Sequence, residues 1–327
     1  MNRVWLITGT SSGLGAALAR AVDEHGDIAV ATTRSGNGRR SGSGSGSGNG
    51  RRSGSGSGSG SGNGNGNGNG SESDSGSDSG SDSGSDSRSR SRSRSVSGSD
   101  GDGVRLDVTD EASIAEAVKH THDTHGRIDV LVNNAGYGLL GAFEECTDQE
   151  LRDAFDTNLF GAMAVTRAVL PIMREQRAGH IVQMSSVVGV TSGPGGTGYT
   201  APKAALEAWS EALAAELRPL GIKVTIVEPG PFRTDFSGRS LKVAKPMPAY
   251  APMLAPATAA FTAAHGTQPN DPYRGALGII AAVEAEHPPL RLPLGAEAFG
   301  WLRAYLTGRL DALTAAESLG GDTAYLR

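Results

Sequence analysis

Thr8-Gly9-Thr10-Ser11-Ser12-Gly13-Leu14-Gly15 stands between an apolar run of strand length, residues 4–8, and a stretch with helical spacing, residues 14–24. Glycines in such a turn let the backbone bend tightly and come close to a pyrophosphate. The helix that follows presents free N–H groups and the positive end of its dipole. A glycine-rich turn alone says little; its place between a strand and a helix gives it meaning. Leu14, Leu18, Ala21 and Val22 share one helical face, and residues 28–32 return to a strand pattern.

Beyond residue 103 the same alternation continues. Val104-Arg105-Leu106-Asp107-Val108 reads as a strand end, and Thr109-Asp110-Glu111 opens a helix with acidic residues in its first turn. Strands are expected at 128–133, 180–185 and 223–228, and helices at about 147–170 and 199–217. After Pro229, the prolines at 246, 248, 252 and 256 point to loops and short helices. Residues 271–284 and 296–313 look helical. Arg291-Leu292-Pro293-Leu294 fits a last strand, at an edge because of its proline. Strands alternating with helices predict an α/β fold: a doubly wound, mostly parallel sheet covered on both faces.

One stretch breaks the pattern. Residues 35–103 are Ser-Gly, Asn-Gly, Ser-Asp and Arg-Ser repeats with no apolar period. That composition cannot offset the entropy of ordering, so the stretch is expected to be a disordered, low-complexity insertion. Its eight Arg stand against six Asp and one Glu, so it is nearly neutral. The Arg-Ser run from Ser87 to Ser95 is read either as a solvated linker or as a phosphorylated or RNA-binding segment. Residues 1–34 and 104–327 then form one domain. A net charge of -5 gives that domain no electrostatic reason to bind nucleic acid or an anionic membrane. The single cysteine, Cys146, excludes an intramolecular disulfide framework. The apolar run at the start is too short for a signal peptide or a membrane span, so a cytoplasmic protein is expected.

Four further motifs carry chemistry. Ala31-Thr32-Thr33-Arg34 ends the second strand without a carboxylate; Arg34 is either a partner for a 2′-phosphate or a surface residue. Asp107 is either an adenine contact or a capping residue. Asn133-Asn134-Ala135-Gly136 ends a buried strand, where side-chain amides line the crevice used by ligands of open α/β sheets. Tyr199 and Lys203 lie four apart on one helical face. An ammonium there favours the phenolate and is expected to lower the phenol's pKa. Ser186 stands thirteen residues before Tyr199, just past a strand.

Thr8-Gly9-x-x-x-Gly13-x-Gly15, Asn133-Asn134-Ala135-Gly136, Asn158, Ser186, Tyr199-x-x-x-Lys203 and Pro229-Gly230, taken in this order, resemble the short-chain dehydrogenase/reductase family, with its Rossmann-like sheet. The resemblance spans everything except the insertion. It implies an NADP-dependent enzyme, with NAD the lesser choice, that moves a hydride between the nicotinamide and a carbonyl or alcohol. Tyr199 would donate or take the proton, and Lys203 would tune it and hold the nicotinamide ribose. Ser186 would bond the carbonyl oxygen, and Asn158 would hold a water of a proton relay. The cofactor would meet Gly9, Ser11, Ser12, Gly13, Leu14, Gly15, Arg34, Asp107, Val108, Asn134, Ala135, Gly136, Tyr199, Lys203, Pro229, Gly230 and Thr234. No metal is implied. Relatives are usually dimers or tetramers, so a homo-oligomer is considered.

The sequence departs from the family in one place. The insertion takes the place of the helix that normally follows strand two. Apolar surface near 28–31 and 104–108 is therefore expected to be exposed, with weaker cofactor binding and lower stability. Two other readings stand beside the enzyme: a catalytically weak NADP-binding regulator that uses the insertion for partners, and an RNA- or partner-binding protein working through the Arg-Ser run. The substrate pocket is expected to be lined by Tyr137-Gly138-Leu139, Val187-Val188-Gly189-Val190 and the loop after Pro231. These residues are mostly apolar, which suggests a lipophilic carbonyl compound.

Overall fold

The computed structural model describes residues 2–36 and 103–321. In chain order the strands are β1 (Val4–Ile7), β2 (Ile28–Thr33), β3 (Val104–Arg105), β4 (Val130–Asn133), β5 (Gly138–Leu140), β6 (Gly179–Met184), β7 (Ile222–Pro229), β8 (Leu241–Val243) and β9 (Arg291–Leu294). The helices are α1 (Gly13–His25), α2 (Glu111–His125), α3 (Asp148–Phe155), α4 (Gly161–Gln176), α5 (Val187–Val190), α6 (Thr197–Leu217), α7 (Ala251–Ala263), α8 (Pro272–Glu284) and α9 (Ala296–Gly320). The stretch 37–102, nearly all of the expected disordered insertion, lies outside the described residues.

Seven strands form one sheet in the order β3-β2-β1-β4-β6-β7-β9, and β5 pairs apart with β8. Every pairing is parallel. The order reverses between β1 and β4, and ligands of open α/β sheets bind at such a switch, beyond the strands' carboxyl ends. Both faces are covered, as the continuous apolar strands require. On one face Val4, Leu6, Val30, Leu131 and Ile181 pack with Ile114 and Val118 of α2 and Val165, Val169 and Met173 of α4. On the other, Trp5, Ile7, Val132 and Val182 pack with Leu18 and Val22 of α1 and Ile279, Ile280 and Val283 of α8. The period-two alternation of β1 sends Val4 and Leu6 to one core and Trp5 and Ile7 to the other.

The rim near β3 corrects one expectation. Val30, Leu106 and Val108 are buried, and Ile28 and Val104 are partly buried against the same cluster. Leu106 and Val108 fold back onto α2 and α4, so these helices cover the apolar end of the strand. Three other segments also differ. The helix expected over 147–170 is α3 and α4 joined through a π-helical turn, Asp156–Phe160. The proline-rich stretch holds a thirteen-residue helix, α7, with Pro252 in the first turn, where its missing N–H has no partner to lose. α9 runs past 313 to Gly320, and only Ala298 and Leu302 in it are buried. Among the described residues, no helix is long and apolar enough to cross a membrane.

His180 on β6 is buried, with Nε2 2.9 Å from Thr225 Oγ1. Burial, with help from Lys223 and Arg3, pulls its pKa down from 6.5 to about 4. Between those values the unfolded chain binds the extra proton. His180 therefore contributes stability that is full above pH 6.5 and is lost as the pH falls towards 4. The shift corresponds to about 3 kcal/mol. His180→Gln should flatten the acid arm of a urea-denaturation series across that window. An unchanged arm would remove His180 as its cause.

Candidate active site

The sequence-expected residues gather at the carboxyl ends of β1, β4, β6 and β7. After β1 the chain turns through Gly9, at φ +70°, and Gly13, at φ +63°, into α1. Gly9 passes so close to β4 that a Cβ there would lie 2.8 Å from Ala135 Cα. Ser12 begins α1 without a side-chain cap bond, which leaves the first amides of the helix to an outside acceptor. Ser11 is exposed, and Leu14 turns inward toward α8.

The two asparagines at the end of β4 and just past it make bonds that their place in the sequence does not announce. Asn133 is buried and donates to Thr166 Oγ1 at 2.9 Å and Gln183 Oε1 at 3.1 Å. Asn134 Nδ2 donates to the carbonyls of Thr8 and Gly9, each at 2.9 Å. Thr8 Oγ1 accepts from the amides of Asn134, at 2.9 Å, and Ala135, at 3.0 Å. These amides tie the glycine turn to β4. Thr8 was quoted in the turn but given no role, since nothing in a strand-end threonine signals such a brace.

Asn158 sits in the π turn between α3 and α4, a distortion often found at functional sites. It is buried, donates to the carbonyls of Tyr137 and Ala154, and accepts from the Tyr137 amide. A Cβ on Gly136 would fall 2.5 Å from Asn158 Oδ1 and 3.6 Å from Lys203 Nζ, so these three positions converge. Lys203 is buried on α6, donates to Met184 O at 2.7 Å, and lies 5.8 Å from the centre of the Tyr199 ring. Burial pulls its pKa down to about 8, and the Glu207 carboxylate one turn on opposes that fall.

Ser186 begins α5, and its hydroxyl faces the Tyr199 phenol. Ser185 is committed elsewhere: its Oγ donates to Glu207 Oε1 at 2.5 Å. Spacing favoured Ser186, and only Ser186 is turned toward Tyr199. The phenol departs from expectation. Burial pushes its pKa above the ordinary value of 10 although Ser186 pulls the other way. Desolvation of the anion outweighs the help a neighbouring donor gives. Phe236, in the turn after Thr234, sets its ring 5.4 Å from that of Tyr199.

The remaining positions frame the crevice. Gly230 N donates to Leu294 O at 2.9 Å, next to Pro229 at the end of β7. Thr234 is beside the turn, where a Cβ on Gly13 would lie 3.4 Å from its own Cβ. A cavity of about 290 Å³ opens there, lined by Gly13, Arg233, Thr234, Asp235 and His265. Arg34 is exposed at the end of β2. Burial works against the charge of Asp107, but bonds from Thr109 N and Oγ1 and the nearby Arg34 and Arg105 hold its carboxyl below the usual range. Val108 packs under the first residue of α4. Val187, Val188 and Val190, expected in the pocket, pack with Ala298 and Leu302 of α9. Leu139 and Phe236 are apolar groups beside Tyr199: Leu139 lies under Gly198 and Phe236 stands against the ring, while Tyr137 packs with Leu139 and carries the Lys242 ammonium 4.6 Å from its ring centre.

Residues 90–243 match the family model for short chain dehydrogenases. An oxidoreductase of Botryotinia fuckeliana is 30% identical over 91% of this chain and 90% of its own length. The chain is a short-chain dehydrogenase. A crystal structure of such an enzyme from Streptomyces avermitilis is 34% identical, covers 99% of each chain and superposes with a TM-score of 0.74. A 3-ketodihydrosphingosine reductase of Bacteroides thetaiotaomicron is 46% identical over 40% of this chain and 49% of its own length. As a short-chain dehydrogenase the protein is an oxidoreductase whose fold takes a nicotinamide cofactor. The glycine turn fits such a group: its first helical amides are uncapped by a side chain, and its close approach to β4 leaves no room for a Cβ at Gly9.

Proposed function

We propose that this short-chain dehydrogenase reduces a lipophilic carbonyl compound with NADPH, with Tyr199 as the proton donor. The reading is carried by one observation: the Tyr199 phenol faces the Ser186 hydroxyl, with Lys203 on the same helical face. A bound nicotinamide would supply the hydride. Ser186 would hold the substrate oxygen, and Tyr199 would pass its proton to that oxygen as charge develops. A phenol whose pKa is raised stays protonated at neutral pH, which suits reduction better than oxidation. Lys203, anchored on Met184 O, would hold the ribose hydroxyls, and Asn158 would brace the segment around Tyr137 and the water path to Lys203. The uncapped amides of Ser12, Gly13 and Leu14 would receive the pyrophosphate, with Gly9 and Gly15 letting the turn pack closely on Ala135 and Asn134 so that those amides are held in place. Asn134, Ala135 and Gly136 would form the crevice floor, and Pro229, Gly230 and Thr234 the nicotinamide end. Residues 1–34 and 104–327 would act as the one catalytic domain.

NADP is favoured because Arg34 stands at the end of β2 where an NAD site keeps a carboxylate. Lipophilicity is favoured by Leu139 and Phe236 beside Tyr199, and by the resemblance of part of the chain to a 3-ketodihydrosphingosine reductase. The test is oxidation of NADPH and of NADH with a panel of short and long-chain ketones and aldehydes, run on the wild type and on Arg34→Glu. NADPH should be preferred, and Arg34→Glu should weaken NADPH binding by roughly tenfold to hundredfold, the worth of one charge-assisted bond. An unchanged NADPH preference in the variant would place the 2′-phosphate elsewhere. Firm cofactor binding with no turnover of any carbonyl would favour the regulatory reading.

A further inference from the structure

Behind the Ser186–Tyr199–Lys203 group lies a charged cluster that the reaction does not use directly. Glu207, one turn past Lys203 on α6, is buried, and so is Glu228 on β7. Both pair with a single guanidinium, Arg291 on the edge strand β9. Arg291 Nη1 bonds Glu207 Oε2 and Glu228 Oε1, and Nη2 reaches Glu211 Oε1 at 2.8 Å. The other oxygen of Glu207 takes the short bond from Ser185 Oγ. α5 presses on this join: a Cβ on Gly189 would meet Ser185 Oγ at 2.7 Å and Glu207 Oε1 at 2.9 Å.

We infer that Arg291 is a positioning residue: by holding Glu207 it fixes Ser185, and through Ser185 the neighbouring Ser186 hydroxyl that faces Tyr199. The functional part of this inference rests on the reading of Tyr199 and Ser186 given above; the structural part does not. Four charged groups face Glu207: Lys203 and Glu211 from its own helix, Glu228 from β7, and Arg291 from β9. Arg291 is the cation bonded to both buried carboxylates. Burial and the Glu207 charge raise the Glu228 pKa even with Arg291 bound. Removing Arg291 would leave two like charges in contact, and one of them would take up a proton near neutral pH. Glu207 would then lose either its charge or its place, and Ser185 would lose its fixed acceptor.

The experiment is amide hydrogen exchange on the full chain for wild type, Ser185→Ala, Arg291→Met and Arg291→Lys, followed by steady-state kinetics on the same four proteins. Ser185→Ala cuts the link while keeping every charge, so it remains informative should Arg291→Met fold poorly. Exchange in the segment 184–191 should rise in Ser185→Ala and Arg291→Met, stay unchanged around the glycine turn, and return toward wild type in Arg291→Lys. kcat should fall by about tenfold or more while KM and cofactor affinity hold, as expected when a reacting group is misplaced and not lost. Ser185→Ala and Arg291→Met combined should be no worse than the more severe of the two alone. Arg291→Met should also gain an acid limb in its kcat profile near neutral pH. Unchanged exchange at 184–191, or a rise shared by the whole chain, would overturn the inference. Local loosening without any wild-type carbonyl reduction would uphold the positioning link and defeat the functional reading alone.

Discussion

Replacing Tyr199 by phenylalanine should lower carbonyl reduction by about 10²–10⁴-fold, the usual worth of a positioned general acid, while cofactor affinity stays at the wild-type level. The substitution removes one oxygen. The ring keeps its place against Phe236 and beside Lys203, so neither packing nor the neighbouring lysine is disturbed. What is lost is the phenol's proton, which an ordinary phenol already holds at neutral pH and which burial holds more firmly. The pH profile separates the two neighbours. Lys203 carries its ammonium below about 8 and loses it above, so wild-type reduction should decline as the pH rises through that value. The slow residual rate of Tyr199→Phe no longer depends on the phenol, but cofactor affinity should still weaken above the same pH. Stopped-flow single turnovers with saturating NADPH report the chemical step without product release. A variant that turns over at the wild-type rate would end the role given to Tyr199.

Much of this site was legible in the sequence because its parts are local. Gly9, Gly13 and Gly15 announce a tight turn wherever they fall between a strand and a helix. Tyr199 and Lys203 need only the helical repeat to share a face, and Ser186 needs only to follow a strand. The order of these motifs was enough to suggest the family. The contacts that were not legible join residues far apart in the chain. Arg291 meets Glu207 and Glu228 only because β9 lies against β7 and α6 crosses above them, and no spacing encodes that meeting. The desolvation that raises the Tyr199 pKa is likewise set by what packs around the ring, Phe236 among it. The Tyr–Lys spacing suggested a lowered value because it counted the neighbouring charge and not the lost water. Val188 and Val190 were assigned to the pocket as apolar residues near Ser186. They instead meet α9, a helix whose docking depends on Ala298 and Leu302, more than a hundred residues later. The length of α7 was not legible because Pro252 and Pro256 pointed to loops and short helices; Pro252 sits in the first turn, where a proline breaks nothing, and Pro256 is accommodated inside the helix.

Gly15→Ala should be costly although the backbone at this position is unstrained. Gly15 is the third residue of α1 and has ordinary helical geometry, so the backbone itself would accept alanine; in an exposed helix the change would stabilise. Here the added Cβ would lie 2.3 Å from Asn134 Nδ2 and 2.6 Å from Gly9 O. One neighbour is a backbone oxygen and the other is the amide that ties the turn to β4, so neither can yield without breaking the brace. Asn134 would give up its bonds to Thr8 O and Gly9 O. Overpacking and two lost bonds together should cost about 3 kcal/mol, a fall in Tm of roughly 6–12 °C for a domain of this size. Cofactor affinity should fall by at least about tenfold as the turn moves off its position at the α1 amides. Gly300→Ala is the matched control. Gly300 lies in α9, where a Cβ would meet nothing within 4 Å, and its Tm should hold or rise slightly. Thermal unfolding and NADPH fluorescence titration on the two variants read both quantities. If Gly15→Ala bound NADPH as tightly as Gly300→Ala, the glycine turn would not be the pyrophosphate cradle, and the cofactor's place at the β1–β4 switch would have to be abandoned.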